Sequence, residues 1–237
     1  MTKKLIRKTK RPVDKLSVAF ASIMAVGLVL SGCSMENGGD AKSAATSDVA
    51  DSESVLQKLE DADTIEAKKA VFSFGDSWKV TADGEEVGEI KGQTIYSIGD
   101  TYSLFSPAGN LVASEAEGYR IVNHRAGLYD YNNKKRGEIQ EQFSMFLAEY
   151  KIKDAEDKTL GTAKQKFSIT MNFDIEGKHG DSEYKISKAA FSMGSKVTID
   201  AQSKDRSVDA VDALWLAVIA SEVEDAKSDD SSSKKNR

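Results

Sequence analysis

The sequence predicts a mainly β protein: a closed, twelve-stranded antiparallel β-barrel enclosing one hydrophobic C-terminal α-helix. Three observations predict it. A unit of about 24 residues recurs six times, apolar and polar side chains alternate within the units, and eight consecutive apolar residues stand near the C-terminus.

The repeat is carried by a triplet of aromatic, Ser and apolar residue. It stands at Phe72-Ser73-Phe74, Tyr96-Ser97-Ile98, Phe143-Ser144-Met145, Phe167-Ser168-Ile169 and Phe191-Ser192-Met193, and Tyr119-Arg120-Ile121 fills the one double-length gap. The first two copies match further, because VFSFGDSWKV over IYSIGDTYSL aligns Gly75 with Gly99, Asp76 with Asp100, Trp78 with Tyr102 and Val80 with Leu104. Inside the units Trp78/Val80, Tyr102/Leu104, Tyr150/Ile152, Phe173/Ile175 and Val197/Ile199 alternate with mostly polar neighbours. A period of two sets one strand face on a core and the other in water. Turn residues such as Asp83-Gly84, Gly109-Asn110, Asn132-Asn133 and Gly177 to Asp181 separate the strands. Two strands per unit place twelve strands between about 64 and 202, with the large side chains of each triplet facing inward near a strand end.

The C-terminal helix is predicted over 207–227, SVDAVDALWLAVIASEVEDAK, with Ser207 as N-cap and Asp209 and Asp212 in the first turns. From Ala213 to Ala220 every residue is apolar, Leu214, Trp215, Val218 and Ile219 among them, so the apolar surface runs all the way round the helix. Such a helix must be covered all round. Eight residues reach only about 12 Å, too little for a bilayer. A barrel closed around the helix covers it, fills its own interior and removes the unpaired sheet edges.

The N-terminus reads as an export signal. Seven cations precede an apolar run, Leu16 to Leu30, which ends at Leu30-Ser31-Gly32-Cys33. These four residues resemble the bacterial lipobox, which implies cleavage before Cys33 and a diacylglyceryl group on its thiol. With about 0.8 kcal/mol for each buried CH₂, the anchor would hold by on the order of 20 kcal/mol. Cys33 is the single cysteine, so no intrachain disulfide supports the exported domain.

The resulting division is a signal peptide over 1–32, lipidated Cys33 and a flexible tether over 33–53, a short helix over 54–63, the barrel domain over 64–227 and a disordered tail over 228–237. Without residues 1–32 the chain carries 26 Lys and Arg against 37 Asp and Glu, a net charge of −11. This balance argues against nucleic acid as a partner. The expected location is the extracytoplasmic face of a bacterial membrane, with an outer membrane also open to it in a two-membrane cell. The expected partner is an unknown protein or small molecule, met by a monomer.

The stretches FSFGDSWKVTADGEEVGEI, IYSIGDTYSLFSPAGNLV, KFSITMNFDI and DALWLAVIASEVE, across roughly 65–225, resemble bacterial LURP-one-related proteins of the tubby C-terminal-like superfamily. That superfamily also includes phospholipid scramblases. The resemblance implies a twelve-stranded barrel around a C-terminal helix and a scaffold that binds a ligand or partner without catalysis. The basic phosphoinositide pocket of tubby proteins has no counterpart in this sequence, nor do the cysteines and C-terminal membrane segment of scramblases.

Other chemistries are open on single motifs. Gly75-Asp76-Ser77 resembles the nucleophile block of GDSL-type esterases, but neither His124 nor His179 has the Asp three residues earlier that this family places before its base. Asp154, Glu156 and Asp157, or Asp174, Glu176 and Asp181, lack the order of a calcium loop and read as polar hairpin tips. No metal, cofactor or catalytic residue is therefore assigned. Lys134-Lys135-Arg136 is a concentrated basic tip and a candidate for docking on membrane or wall phosphate. Direct action on lipid headgroups is a further alternative, which the resemblance to scramblases implies.

Overall fold

The structure, a computed structural model, describes residues 40–70, 77–95, 99–118, 124–142, 144, 147–168, 170–189 and 195–235. Twelve antiparallel strands form a closed barrel in which each strand pairs with its neighbours in sequence and β1 closes on β12. In chain order they are β1 (Thr64–Lys69), β2 (Ser77–Ala82), β3 (Glu85–Ile95), β4 (Gly99–Phe105), β5 (Leu111–Gly118) and β6 (Arg125–Asp130). The second half contains β7 (Lys135–Gln142), β8 (Glu149–Asp154), β9 (Thr159–Gln165), β10 (Asn172–Gly177), β11 (Ser182–Lys188) and β12 (Lys196–Ala201). Helix α1 (Asp40–Asp61) precedes the barrel and α2 (Ala210–Lys235) follows it.

The 24-residue period becomes a repeated hairpin turn. Backbone N–H groups of Gly109, Asn133, Asp157 and Gly180 donate to the carbonyls of Ser106, Asp130, Asp154 and Gly177, each three residues earlier. The donor residue has positive φ in every case, 89°, 59°, 67° and 84° respectively, a conformation that glycine, asparagine and aspartate adopt most readily. The side chains repeat too. Asp130 Oδ1 accepts from the N–H of Asn132 and Lys134, and 24 residues later Asp154 Oδ1 accepts from Glu156 and Lys158. Each of these turns, and the one at Asp83-Gly84, is followed by a register shift that bends the hairpin into a barrel wall. The acidic tip at Asp154 to Asp157 is thus a turn-forming device.

The expected alternation is present. Trp78, Val80, Tyr102, Leu104, Tyr150, Ile152, Phe173, Ile175, Val197 and Ile199 all point inward and are buried. They surround α2, whose residues from Ala210 to Ser221 are buried without interruption, Leu214, Trp215, Val218 and Ile219 among them. The interior is therefore filled by a helix and its lining side chains.

Several boundaries differ from expectation. The helix α1 begins at Asp40, so residues 40–53, whose Ala, Ser and Asp content suggests a tether, are helical. Long-range contacts override that composition: Asp51 accepts from the Ser106 hydroxyl and from Asn110, and buried Ser52 donates to the Leu111 carbonyl at 2.7 Å. The helix α2 starts at Ala210, with Asp209 in the capping position: its carbonyl accepts from the N–H of Asp212 and Ala213. Ser207 is instead held by Glu183, whose carboxylate accepts from the Ser207 N–H, the Ser207 hydroxyl and the Val208 N–H. Gly177 leaves room for this clamp, since a Cβ there would lie 1.7 Å from Glu183 Oε1. Past the barrel, α2 continues to Lys235, where a tail was expected from 228.

The triplets fall, in sequence, between an odd-numbered strand and the next, and most of their residues lie outside the described ones. Phe167 is described and stands 98% exposed, so it does not take the inward place expected of it. Residues 1–32 and Cys33 also lie outside the described residues.

Connectivity gives the barrel two unlike ends. The five tight turns, the start of β1 and the β12 to α2 crossing share one end, and α1 lies across it. The helix α2 enters there and leaves at the other end, where Lys69 binds Glu222 at 2.7 Å and Lys188 binds Asp225 at 2.5 Å. Ser195 also donates to Asp225. Among the described residues no helix is long and apolar enough to cross a membrane.

Candidate functional site

A groove of about 580 Å³ opens at the α1 end. Helical spacing builds one wall, because Glu53, Leu56, Gln57 and Glu60 recur at intervals of three and four and share a face of α1. Asp130 and Tyr131 come from the β6–β7 turn, Arg136 from β7, and Asp209 and Val211 from the start of α2. Val55 and Leu59, buried, fasten α1 to the barrel so that this wall is fixed in place.

The groove carries four carboxylates and one guanidinium. Arg136 is engaged by Asp209 and lies 3.8 Å from Asp212 Oδ1. Glu60 binds Arg206 at 2.9 Å and accepts from the Ala210 N–H at 2.9 Å, which ties α1 to the positive end of α2. Arg206 in turn lies over the Tyr184 ring at 5.1 Å. The Tyr131 hydroxyl donates to Glu53 at 3.0 Å, and this bond with the carboxylate's charge holds the phenol above its ordinary range.

Beneath the groove Asp212 is buried, and burial pushes its carboxyl up to about 7 although Arg136 pulls the other way. Its Oδ1 makes no hydrogen bond. An acid in the first turn of a helix is ordinarily favourable. Here the loss of water outweighs the dipole.

The residues singled out from sequence are dispersed. Lys134 is exposed, Lys135 lies 3.5 Å from Glu138, and Arg136 turns into the groove toward α2, so the three cations of the basic tip do not converge. Ser77 donates to Glu89, and this bond is the chief cause that holds the Glu89 carboxyl below its usual range. A carboxylate so stabilised is a poor base. His124 precedes β6 at the exit end and His179 sits in the β10–β11 turn at the opposite one, both exposed. Asp174 and Glu176 pair with Lys166 at 2.9 Å and Lys164 at 2.6 Å. No group of three His, Cys, Asp or Glu that could hold a metal ion occurs among the described residues.

The groove residues of α1 are not singled out by the sequence, and Asp209 and Asp212 stand out there only as acids in the first turns of a helix. The spacing of Glu53, Leu56, Gln57 and Glu60 was the available signal, but a tether drawn through residue 53 divides it. Glu183 carried no signal, since a polar residue in a strand reads as outward-facing.

No protein-family model and no curated protein matches the chain. Among solved structures it is similar to the X-ray structure of a protein from Arabidopsis thaliana, with 14% identity and a TM-score of 0.47 over 72% of this chain and 98% of that one.

Proposed function

We propose that this chain is a lipid-anchored extracytoplasmic protein, a barrel of the LURP-one-related and tubby-like kind that binds a partner without catalysing a reaction on it. The observation that carries the binding role is the filled interior: α2 occupies the space in which a barrel would otherwise hold a ligand. Recognition therefore falls to the outside, and the groove at the α1 end is the seat proposed for it. Of its four carboxylates Asp209 is bound to Arg136 and Glu60 to Arg206, which leaves Glu53 and Asp130 without a cation among the described residues, beside Leu56, Val211 and the Tyr131 ring. This combination suits an organic cation with an apolar stem, such as an amine. Closure of the sheet leaves no strand edge to recruit a second copy, which supports a monomer.

The anchor rests on Leu30-Ser31-Gly32-Cys33 after the apolar run. Metabolic palmitate labelling of the chain is expected in its native host and is expected to vanish in Cys33→Ser. Labelling that persists in the variant would refute the lipid site.

Binding is tested by thermal denaturation of the intact chain at low salt. Spermidine is expected to raise the midpoint and inorganic phosphate to leave it unchanged, with the spermidine effect reduced in Glu53→Gln. Stabilisation by phosphate instead would move recognition to Lys134 and Lys135 and favour action on lipid headgroups.

A further inference from the structure

We infer that Asp212 sets the grip of the groove on a cation: when its carboxyl ionises it draws Arg136 away from Asp209, and Asp209 joins Glu53 and Asp130 as a carboxylate open to the ligand. The inference rests on the groove as the seat of an amine and adds its regulation by pH. Its geometric basis is a single nitrogen. Nη2 of Arg136 is bound to Asp209 and stands 3.8 Å from Asp212 Oδ1, an oxygen that makes no hydrogen bond. A charge-assisted bond is about 2.8 Å long, so a movement of about 1 Å exchanges one partner for the other. Asp209 lines the groove, whereas Asp212 is buried beneath it.

The two carboxylates compete on unequal terms, since the side chain of Asp209 is 59% exposed and that of Asp212 only 5%. Water solvates an ionised Asp209 once the guanidinium leaves. An ionised Asp212 has no such recourse, and a charge attracts more strongly where water is excluded. The charged groups acting on Asp212 are Arg136 from β7, Asp209 at the cap of its own helix and Glu60 from α1, the last held by Arg206. Burial, with the two acids, raises the Asp212 carboxyl to about 7, so the exchange falls near neutral pH. Below that pH the protonated Asp212 leaves Arg136 with Asp209, the arrangement observed. Above it the guanidinium moves inward, the groove gains a free carboxylate and the space beneath it gains a charge. A bound cation therefore favours the ionised form, binding releases a proton, and affinity rises as pH climbs through the Asp212 transition.

Calorimetric titration of the full chain with 1,4-diaminobutane at pH 5.5 and pH 8 tests the switch, since primary amines like that of lysine, with a pKa of about 10.4, keep their charge across this range. Affinity is expected to be roughly fivefold or more higher at pH 8, the lower end of ordinary coupling between two sites. Near pH 7 the heat is expected to vary with the ionisation enthalpy of the buffer in the sense of proton release. Both responses are expected to vanish in Asp212→Asn, which should bind at either pH as the parent does at pH 5.5. Binding by the parent that is indifferent to pH, or a pH response that persists in Asp212→Asn, overturns the switch and leaves the groove as a cation site. No binding at either pH overturns the groove reading as well.

Discussion

Replacing Trp215 by alanine is expected to cost the folded chain about 3–5 kcal/mol, the range for removing a large aromatic from a packed core. Trp215 is 1% exposed and lies in the stretch of α2 that is covered on every side. In a two-layer protein, neighbouring elements can slide together over part of a cavity. Here the wall is a ring of twelve strands, each held by its neighbours, and α2 is fixed at entry by Glu60 and at exit by Lys69 and Lys188. Neither side can collapse freely, which places the loss toward the upper part of that range. Urea unfolding followed by far-ultraviolet dichroism measures it, with Trp215→Phe expected to lose less because most of the volume is retained. A loss below about 1 kcal/mol for the alanine variant would show that the helix is not enclosed as described.

Asp212→Asn is expected to stabilise the protein, and increasingly so as pH rises. In the folded state the carboxyl is raised from 3.8 to about 7, chiefly by burial, with Asp209 and Glu60 adding to the rise and Arg136 opposing it. The folded chain therefore keeps a proton that the unfolded chain has released. The stability contributed by that proton is full below pH 4 and is lost as pH climbs to 7, a loss of about 4 kcal/mol. Asparagine fills the same space without a charge and removes this slope. The difference in urea midpoint between variant and parent should be small at pH 4.5 and largest at pH 8. A variant no more stable than its parent at pH 8 would mean that Arg136 fully offsets the burial of an ionised Asp212.

These outcomes concern residues that differ in how readily a sequence reveals them. Trp215 announces its surroundings, because a helix that is apolar all round has no alternative to enclosure. The turns are as legible: Asp130 and Asp154 stand 24 residues apart and make the same pair of backbone bonds. Ser207 misleads for a definite reason. It has the chemistry of an N-cap and stands before a helix, yet Glu183, distant in sequence, takes its hydroxyl and the cap passes to Asp209. Residues 40–53 mislead in the same way, since their weak local preference is decided by Ser106, Asn110 and Leu111 from another part of the chain. Arg136 was read with Lys134 and Lys135 as a basic tip, but a bend in β7 was needed to turn its guanidinium toward α2.

By itself the sequence determined whatever depends on period and polarity. Those are the number of strands, the side the large apolar strand residues face, the placing of the tight turns and the need to wrap a greasy helix, because alternation and repetition are local properties of the chain. Tertiary structure alone decided where the carboxylates go. Glu60, Glu183 and Asp212 look like ordinary surface acids in the chain. Only closure of the barrel sets them against a helix start, a loop backbone or a dry pocket, and the free energy of a charge depends on the partners and water around it.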